Sequence, residues 1–183
     1  MIAGGSRIAI LIEDGFDDDT LAPIVNAFEA AGMTAALIVP VARRQYTGRH
    51  GRSTVTSELT AGAAQSGSLA ALVIPGGYAP DRIRMRHAML DLVREALAAG
   101  VPVGAIGHGA QVLICASAIA GRTVTCWPSI AIDVKNAGGL YVDRPVVVDG
   151  GVITARKADD AAGFAEAVLR AIAATGTGGD TIR

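Results

Sequence analysis

Val101-Pro-Val-Gly-Ala-Ile-Gly107-His108-Gly109-Ala-Gln-Val-Leu-Ile114 is the stretch on which the fold turns. Its first half is an unbroken apolar run, its middle is Gly107-His108-Gly109, and its second half returns to apolar spacing suited to a helix. The stretch reads as a buried strand, a tight elbow and a helix across residues 102–118. That is the geometry in which α/β enzymes present a nucleophile. The tip of such an elbow usually carries Cys or Ser, and here it is Gly107. Function therefore depends on whether the surroundings of that glycine are still built for chemistry.

Outward from the elbow, apolar runs alternate with amphipathic stretches. This pattern predicts a single α/β domain, a mostly parallel central sheet flanked by helices on both faces. Strands are expected at residues 7–12, 34–39, 69–74, 102–106, 123–125, 140–142, 146–149 and 152–154, with Asp149-Gly150 turning between the last two. Helices are expected at residues 20–31, 88–99, 108–118, 130–137 and 159–174. The polar segment 40–67 predicts a short hairpin around Val55 and a weak helix near residues 59–65. The domain is expected to fill residues 1–174, and the Gly/Thr-rich residues 175–183 read as a flexible tail.

Composition narrows the function classes. The chain has 183 residues, enough for one domain with a sizeable core, and its apolar fraction of 51% opposes disorder. Net charge is −1, Lys and Arg are scattered, and aromatics make up 4%, so the basic face with stacking rings that nucleic acids require is not expected. Cys115 falls inside an apolar helix pattern, and with Cys126 as the other cysteine no disulfide scaffold is implied. No apolar run reaches the ~20 residues that span a bilayer. No signal peptide is read at the start, where Glu13 and Asp14 interrupt the first apolar run, so no membrane and a cytoplasmic location are expected. His50 and His87 lack metal-ligand spacing with Asp, Glu or Cys, so neither metal nor cofactor is expected.

Four segments together carry a resemblance: residues 10–18 (Ile-Leu-Ile-Glu-Asp-Gly-Phe-Asp-Asp), 72–82 (Leu-Val-Ile-Pro-Gly-Gly-Tyr-Ala-Pro-Asp-Arg), 105–109 (Ala-Ile-Gly-His-Gly) and 127–130 (Trp-Pro-Ser-Ile). Residues 145–150, Pro-Val-Val-Val-Asp-Gly, add to them. The chain resembles the ThiJ/PfpI superfamily, which has the class I glutamine amidotransferase-like fold, and is nearest its PfpI-like branch. The resemblance implies a homodimer or higher homo-oligomer and activities ranging over peptidase, glyoxalase, deglycase, chaperone and isonitrile hydratase. It also implies a Cys-His-Gly elbow, a Glu matching Asp17 beside the thiol, and N–H groups matching Gly76 or Gly77 and His108 facing the reacting oxygen. An acid from a neighbouring subunit, matching Asp81, orients the His, and the position of Trp127 lines the pocket. The chain departs from the pattern at Gly107, at Asp17 and at Lys157-Ala158, which replaces a Gly-Pro after Arg156. An Asp at the first of these acid sites is a hydratase-branch feature.

Three readings of Gly107 stand open: room for a substrate or a water above the elbow, relief of backbone strain once the thiol was no longer useful, or a nucleophile removed by design. Asp17 lies past the carboxyl end of the first strand, where open α/β sheets bind ligands, and a partly buried carboxylate there suits a general base. Asp19 is the expected N-cap of the next helix. His108 is either an acid–base partner or a packing residue. Gly76, Gly77 and His108 are expected to supply the oxyanion hole, and Trp127, Arg156 and Asp81 to contact substrate; Lys157 reads equally as solvated surface. By strand alternation Cys126 points away from Trp127. The expectation is a small-molecule enzyme working by acid–base chemistry without a cysteine, of hydratase, lyase or isomerase type on a carbonyl- or isonitrile-like substrate. The alternatives are an inactive binding or chaperone-like protein and a knock-out of an ordinary cysteine-dependent member.

Overall fold

The computed structural model describes residues 6–176. A six-stranded sheet runs in the order β2 (Thr34–Ile38), β1 (Arg7–Leu11), β5 (Ala71–Ile74), β6 (Val103–Ile106), β10 (Val152–Ala155) and β9 (Val146–Asp149). Every neighbouring pair is parallel except β9–β10, which forms an antiparallel hairpin through Asp149-Gly150. Strands β5, β6 and β10 are buried along their whole length, as continuous apolar runs in a two-sided parallel sheet must be.

Helices α1 (Asp18–Ala30) and α6 (Ala161–Gly176) pack together, with Phe164 and Val168 of α6 pressed against Gly104 of β6. Helix α2 (Ala79–Ile83) meets α4 (Ala110–Cys115), and α3 (His87–Ala98) covers β5 and β6 together with α4. A side hairpin of β3 (Gln45–Thr47) and β4 (Thr54–Thr56) pairs Tyr46 with Val55. A second small sheet joins β7 (Thr123–Val124) and β8 (Leu140–Tyr141) in parallel, beside α5 (Ala131–Asn136).

The expected sheet and its flanking helices are present, with differences at the edges. The elbow opens into a 3-10 turn at Gly107–Gly109 before α4, and α4 ends at Cys115 rather than residue 118, because Ser117 turns to φ 59°. The expected weak helix near residues 59–65 is only a 3-10 turn at Ala61–Ala63, and α2 was not foreseen. Thr175 and Gly176 belong to α6 instead of the expected tail; residues 177–183 of that tail lie outside the described residues. The cap of α1 is Asp17, not Asp19: the Asp17 carboxylate accepts from the Asp19 N–H at 3.1 Å.

Candidate active site

The carboxyl ends of β1, β5 and β6 open onto a cleft of about 540 Å³. Its walls include Asp17, Arg49, Gly76, Gly77, Gly107, His108, Trp127 and Lys157. Gly107 holds φ 61°, the left-handed conformation in which a nucleophile elbow presents its side chain. A Cβ placed on it would meet the Arg156 carbonyl oxygen at 3.7 Å and Gly76 Cα at 4.0 Å, ordinary van der Waals contacts. The elbow geometry is present with glycine at its tip, and there is space for a side chain.

Gly76-Gly77 is more than a tight turn. It forms an antiparallel bridge with Phe16, in which the Asp17 N–H donates to the Gly76 carbonyl at 3.1 Å and the Tyr78 N–H to the Gly15 carbonyl at 2.7 Å. Gly77 has φ 87°, and a Cβ there would lie 2.7 Å from the Asp17 nitrogen, so only glycine lets the two loops approach. The bridge holds the Asp17 backbone beside the elbow. A Cβ on Gly76 would sit 3.8 Å from both Asp17 Oδ2 and the His108 nitrogen, so the carboxylate and the elbow N–H border one small volume. Among the described residues the N–H groups of Gly76, Gly77 and His108 have no acceptor.

Asp17 is 6% exposed. Its Oδ1 accepts from the Asp19 N–H as the α1 cap and faces Arg49 Nε at 3.3 Å. His108 is half-buried. Its ring stacks on Trp127 with centroids 5.9 Å apart, and its Nε2 lies 3.4 Å from Ser129 Oγ. Burial first, then the Arg49 cation, lower its pKa from the ordinary 6.5, against a smaller opposing pull from Asp17. The ring is therefore neutral at neutral pH and able to accept a proton.

Two of the expected substrate contacts are not brought to the cleft. The Arg156 guanidinium turns to Asp143 (2.9 Å) and Asp160 (3.4 Å), and only its carbonyl borders the elbow. Asp81 is exposed and paired with Arg84 at 2.5 Å, so within one chain it does not touch His108. Lys157 does line the cleft, bound to Asp159 at 2.7 Å. Trp127 is the wall the sequence suggested, and Cys126, fully buried and outside the cleft lining, has its thiol pushed up to about 12 by burial and then Asp133, which makes it inert.

Arg49 was missed. The basic residues of segment 40–67 read only as scattered charge, and nothing local shows that the hairpin turn folds back over the first loop. Missed with it was a possible cation site: ligand atoms of Asp17, Asp19 and His50 lie within 4.8 Å of one another, a grouping that sequence spacing does not reveal. The same carboxylates already face Arg49 and, at 2.7 Å, Arg52, so a cation would enter only by displacing arginines. Among the described residues no helix is long and apolar enough to cross a membrane.

Comparison with known proteins gives a single family. The model of the DJ-1/PfpI family matches residues 6–171. Protein/nucleic acid deglycase 2 of Escherichia coli is 36% identical over 169 residues, covering 92% of this chain and 98% of the relative. Deglycase PH1704 of Pyrococcus horikoshii is 40% identical over 150 residues, covering 82% and 89%. Among solved structures, a two-domain protein from Anabaena variabilis with DJ-1/ThiJ/PfpI-like and ferritin-like domains superposes with TM-score 0.89 at 34% identity; the match spans 97% of this chain and 50% of that one.

Proposed function

The chain belongs to the DJ-1/PfpI family, and from that premise we propose that it is a small-molecule enzyme working without a cysteine nucleophile. Asp17 moves a proton or activates a water, and the N–H groups of Gly76, Gly77 and His108 stabilise the developing negative charge. Preorganised donors of this kind lower a barrier by about 3 kcal/mol each. Hydration, elimination and isomerisation of a carbonyl- or isonitrile-like carbon share those demands. The observation that carries the reading is the buried Asp17 carboxylate facing donors without acceptors across an elbow that keeps its nucleophile geometry. The inert Cys126 supports a mechanism with no thiol step.

The test is turnover of glyoxal-derived adducts, peptides and an isonitrile by the wild-type protein, Asp17→Asn and Gly107→Cys. Asparagine caps a helix as well as aspartate does, so Asp17→Asn removes the charge and leaves the α1 cap. Wild-type turnover is expected to resist thiol alkylation and to fall about 100-fold in Asp17→Asn. Unchanged turnover in Asp17→Asn sinks the mechanism.

A second reading, a binding protein on an inactivated site, is favoured by Gly107 itself, since glycine relieves the elbow's backbone strain. It predicts no turnover in the wild type. Gain of activity in Gly107→Cys alone would instead mark a cysteine-dependent ancestry with only the nucleophile removed.

A cytoplasmic location is part of the proposal, supported by two free cysteines. So is a homo-oligomer, in which Asp81 of a second copy could reach His108. The exclusion of nucleic acid drawn from composition is withdrawn, because one relative is named a protein/nucleic acid deglycase.

A further inference from the structure

We infer that the cleft recognises a small carboxylate, and that Arg49 is the residue that reads it. The inference rests on the proposal that this cleft is catalytic, and it names the substrate class.

Arg49 differs from Arg44, Arg52, Arg82 and Arg86 in how its nitrogens are used; Arg43, also bound through Nε, pairs with Glu58 and does not line the cleft. Arg44 is held by Asp14, Arg52 by Asp19, Arg82 by the Asp14 carbonyl and Arg86 by Glu13, each through its terminal nitrogens. Arg49 meets only Asp17, through Nε at 3.3 Å, and among the described residues its two terminal nitrogens have no partner. A guanidinium held by one edge and free on the other offers a planar fork, which matches the two oxygens of a carboxylate.

The placement of Arg49 is built into the fold. The Asp18 carboxylate accepts from the His50 N–H (2.8 Å), the Ser53 N–H (2.9 Å) and the Ser53 hydroxyl (2.6 Å), and so staples the hairpin turn. The turn lies so close that any Cβ on Gly48 would collide with that carboxylate. The Arg49 N–H donates to the Phe16 carbonyl at 2.8 Å, which sets the residue against the loop carrying Asp17. Its side chain keeps 30% exposure, enough for a ligand to reach it.

The other charges of the cleft are satisfied. Lys157 is bound by Asp159 and Asp19 by Arg52. The Arg49 charge also reaches the elbow, where it acts on His108 more strongly than Asp17 does. A carboxylate on the free edge of Arg49 keeps the guanidinium between itself and Asp17. Its neighbouring carbon then lies in the same small cleft as the N–H groups of Gly76, Gly77 and His108. The substrate class is a short carboxylic acid bearing the electrophilic carbon beside its carboxyl group.

Trp127, the single tryptophan, lines the cleft and stacks on His108, so its fluorescence reports occupancy without any turnover. The probes are pyruvate and its neutral analogue pyruvamide, titrated by fluorescence and by calorimetry. Wild-type protein is expected to bind pyruvate about tenfold more tightly than pyruvamide. In Arg49→Gln that preference is lost while pyruvamide affinity stays within about twofold, and Arg49→Lys restores part of it. Asp17→Asn keeps or tightens pyruvate binding, so a failed Asp17 mechanism with retained binding separates the two ideas. Absence of pyruvate binding, no preference over pyruvamide, or equal loss of both ligands in Arg49→Gln overturns the inference; the last result would mean that Arg49 serves only to hold Asp17.

Discussion

At position 107 the backbone does what an elbow requires while the side chain is absent. An L-residue at φ 61° is strained by about 1–2 kcal/mol, and glycine carries none of that cost. The nearest atoms to a new Cβ are 3.7 Å away or farther, so strain and not collision sets the penalty. Gly107→Cys is therefore expected to fold, with unfolding free energy in urea lowered by about 1–2 kcal/mol. A loss above about 4 kcal/mol would mean that the cleft has closed around the glycine in a way the contacts do not reveal. Asp17 shows a second economy at this scale: one carboxylate caps α1 with Oδ1 and turns Oδ2 to the elbow. The family motif pointed to Asp17, but the adjacent acids hid which one makes the cap.

Among the elements, the β3–β4 hairpin has its turn gathered by one side chain, that of Asp18. Its strands have three residues each, too few to hold a register alone. The Asp18 carboxylate substitutes for the missing ladder by gathering two N–H groups and a hydroxyl across the turn. Burial pushes its pKa up, but the Ser53 hydroxyl and the His50 and Ser53 N–H bonds outweigh that, and the net shift is downward from 3.8. The sign follows: the clamp stabilises fully above 3.8 and is lost as pH falls through the lower folded-state value. Asp18→Ala is expected to cost about 1–3 kcal/mol and to speed amide exchange in residues 48–53. Exchange there unchanged from wild type would show that the Gly15 and Phe16 backbone contacts suffice. Neither the clamp nor the Arg49 it positions was legible in the sequence, because both arise from contacts about 30 residues apart in the chain.

Over the whole molecule, what the sequence disclosed follows from how locally each feature is encoded. The strands of the main sheet are short runs of mostly apolar residues, with Gly or Pro adjoining β5, β6, β9 and β10, so all six were readable to within a residue or two. Helix α2 has five residues and begins Ala-Pro, too short for any period to show. Arg156 was misplaced because side-chain direction after a strand end is decided by Asp143 and Asp160, which the pattern does not connect to it. Assembly lies further still from local pattern, yet the surface bears on it. Tyr78, at the cleft, and Met85, past the other end of α2, are 67% and 76% exposed, with the Asp81–Arg84 pair between them in the chain. Exposed large apolar side chains at both ends of one short helix suit a contact surface if they form one patch. The 18.5 kDa chain is accordingly expected to sediment at twice that mass or more, and the double variant Tyr78→Glu, Met85→Glu to shift toward the single-chain mass. A wild-type protein that runs as 18.5 kDa at micromolar concentration would exclude a stable oligomer, and with it any role for a second copy's Asp81 at His108.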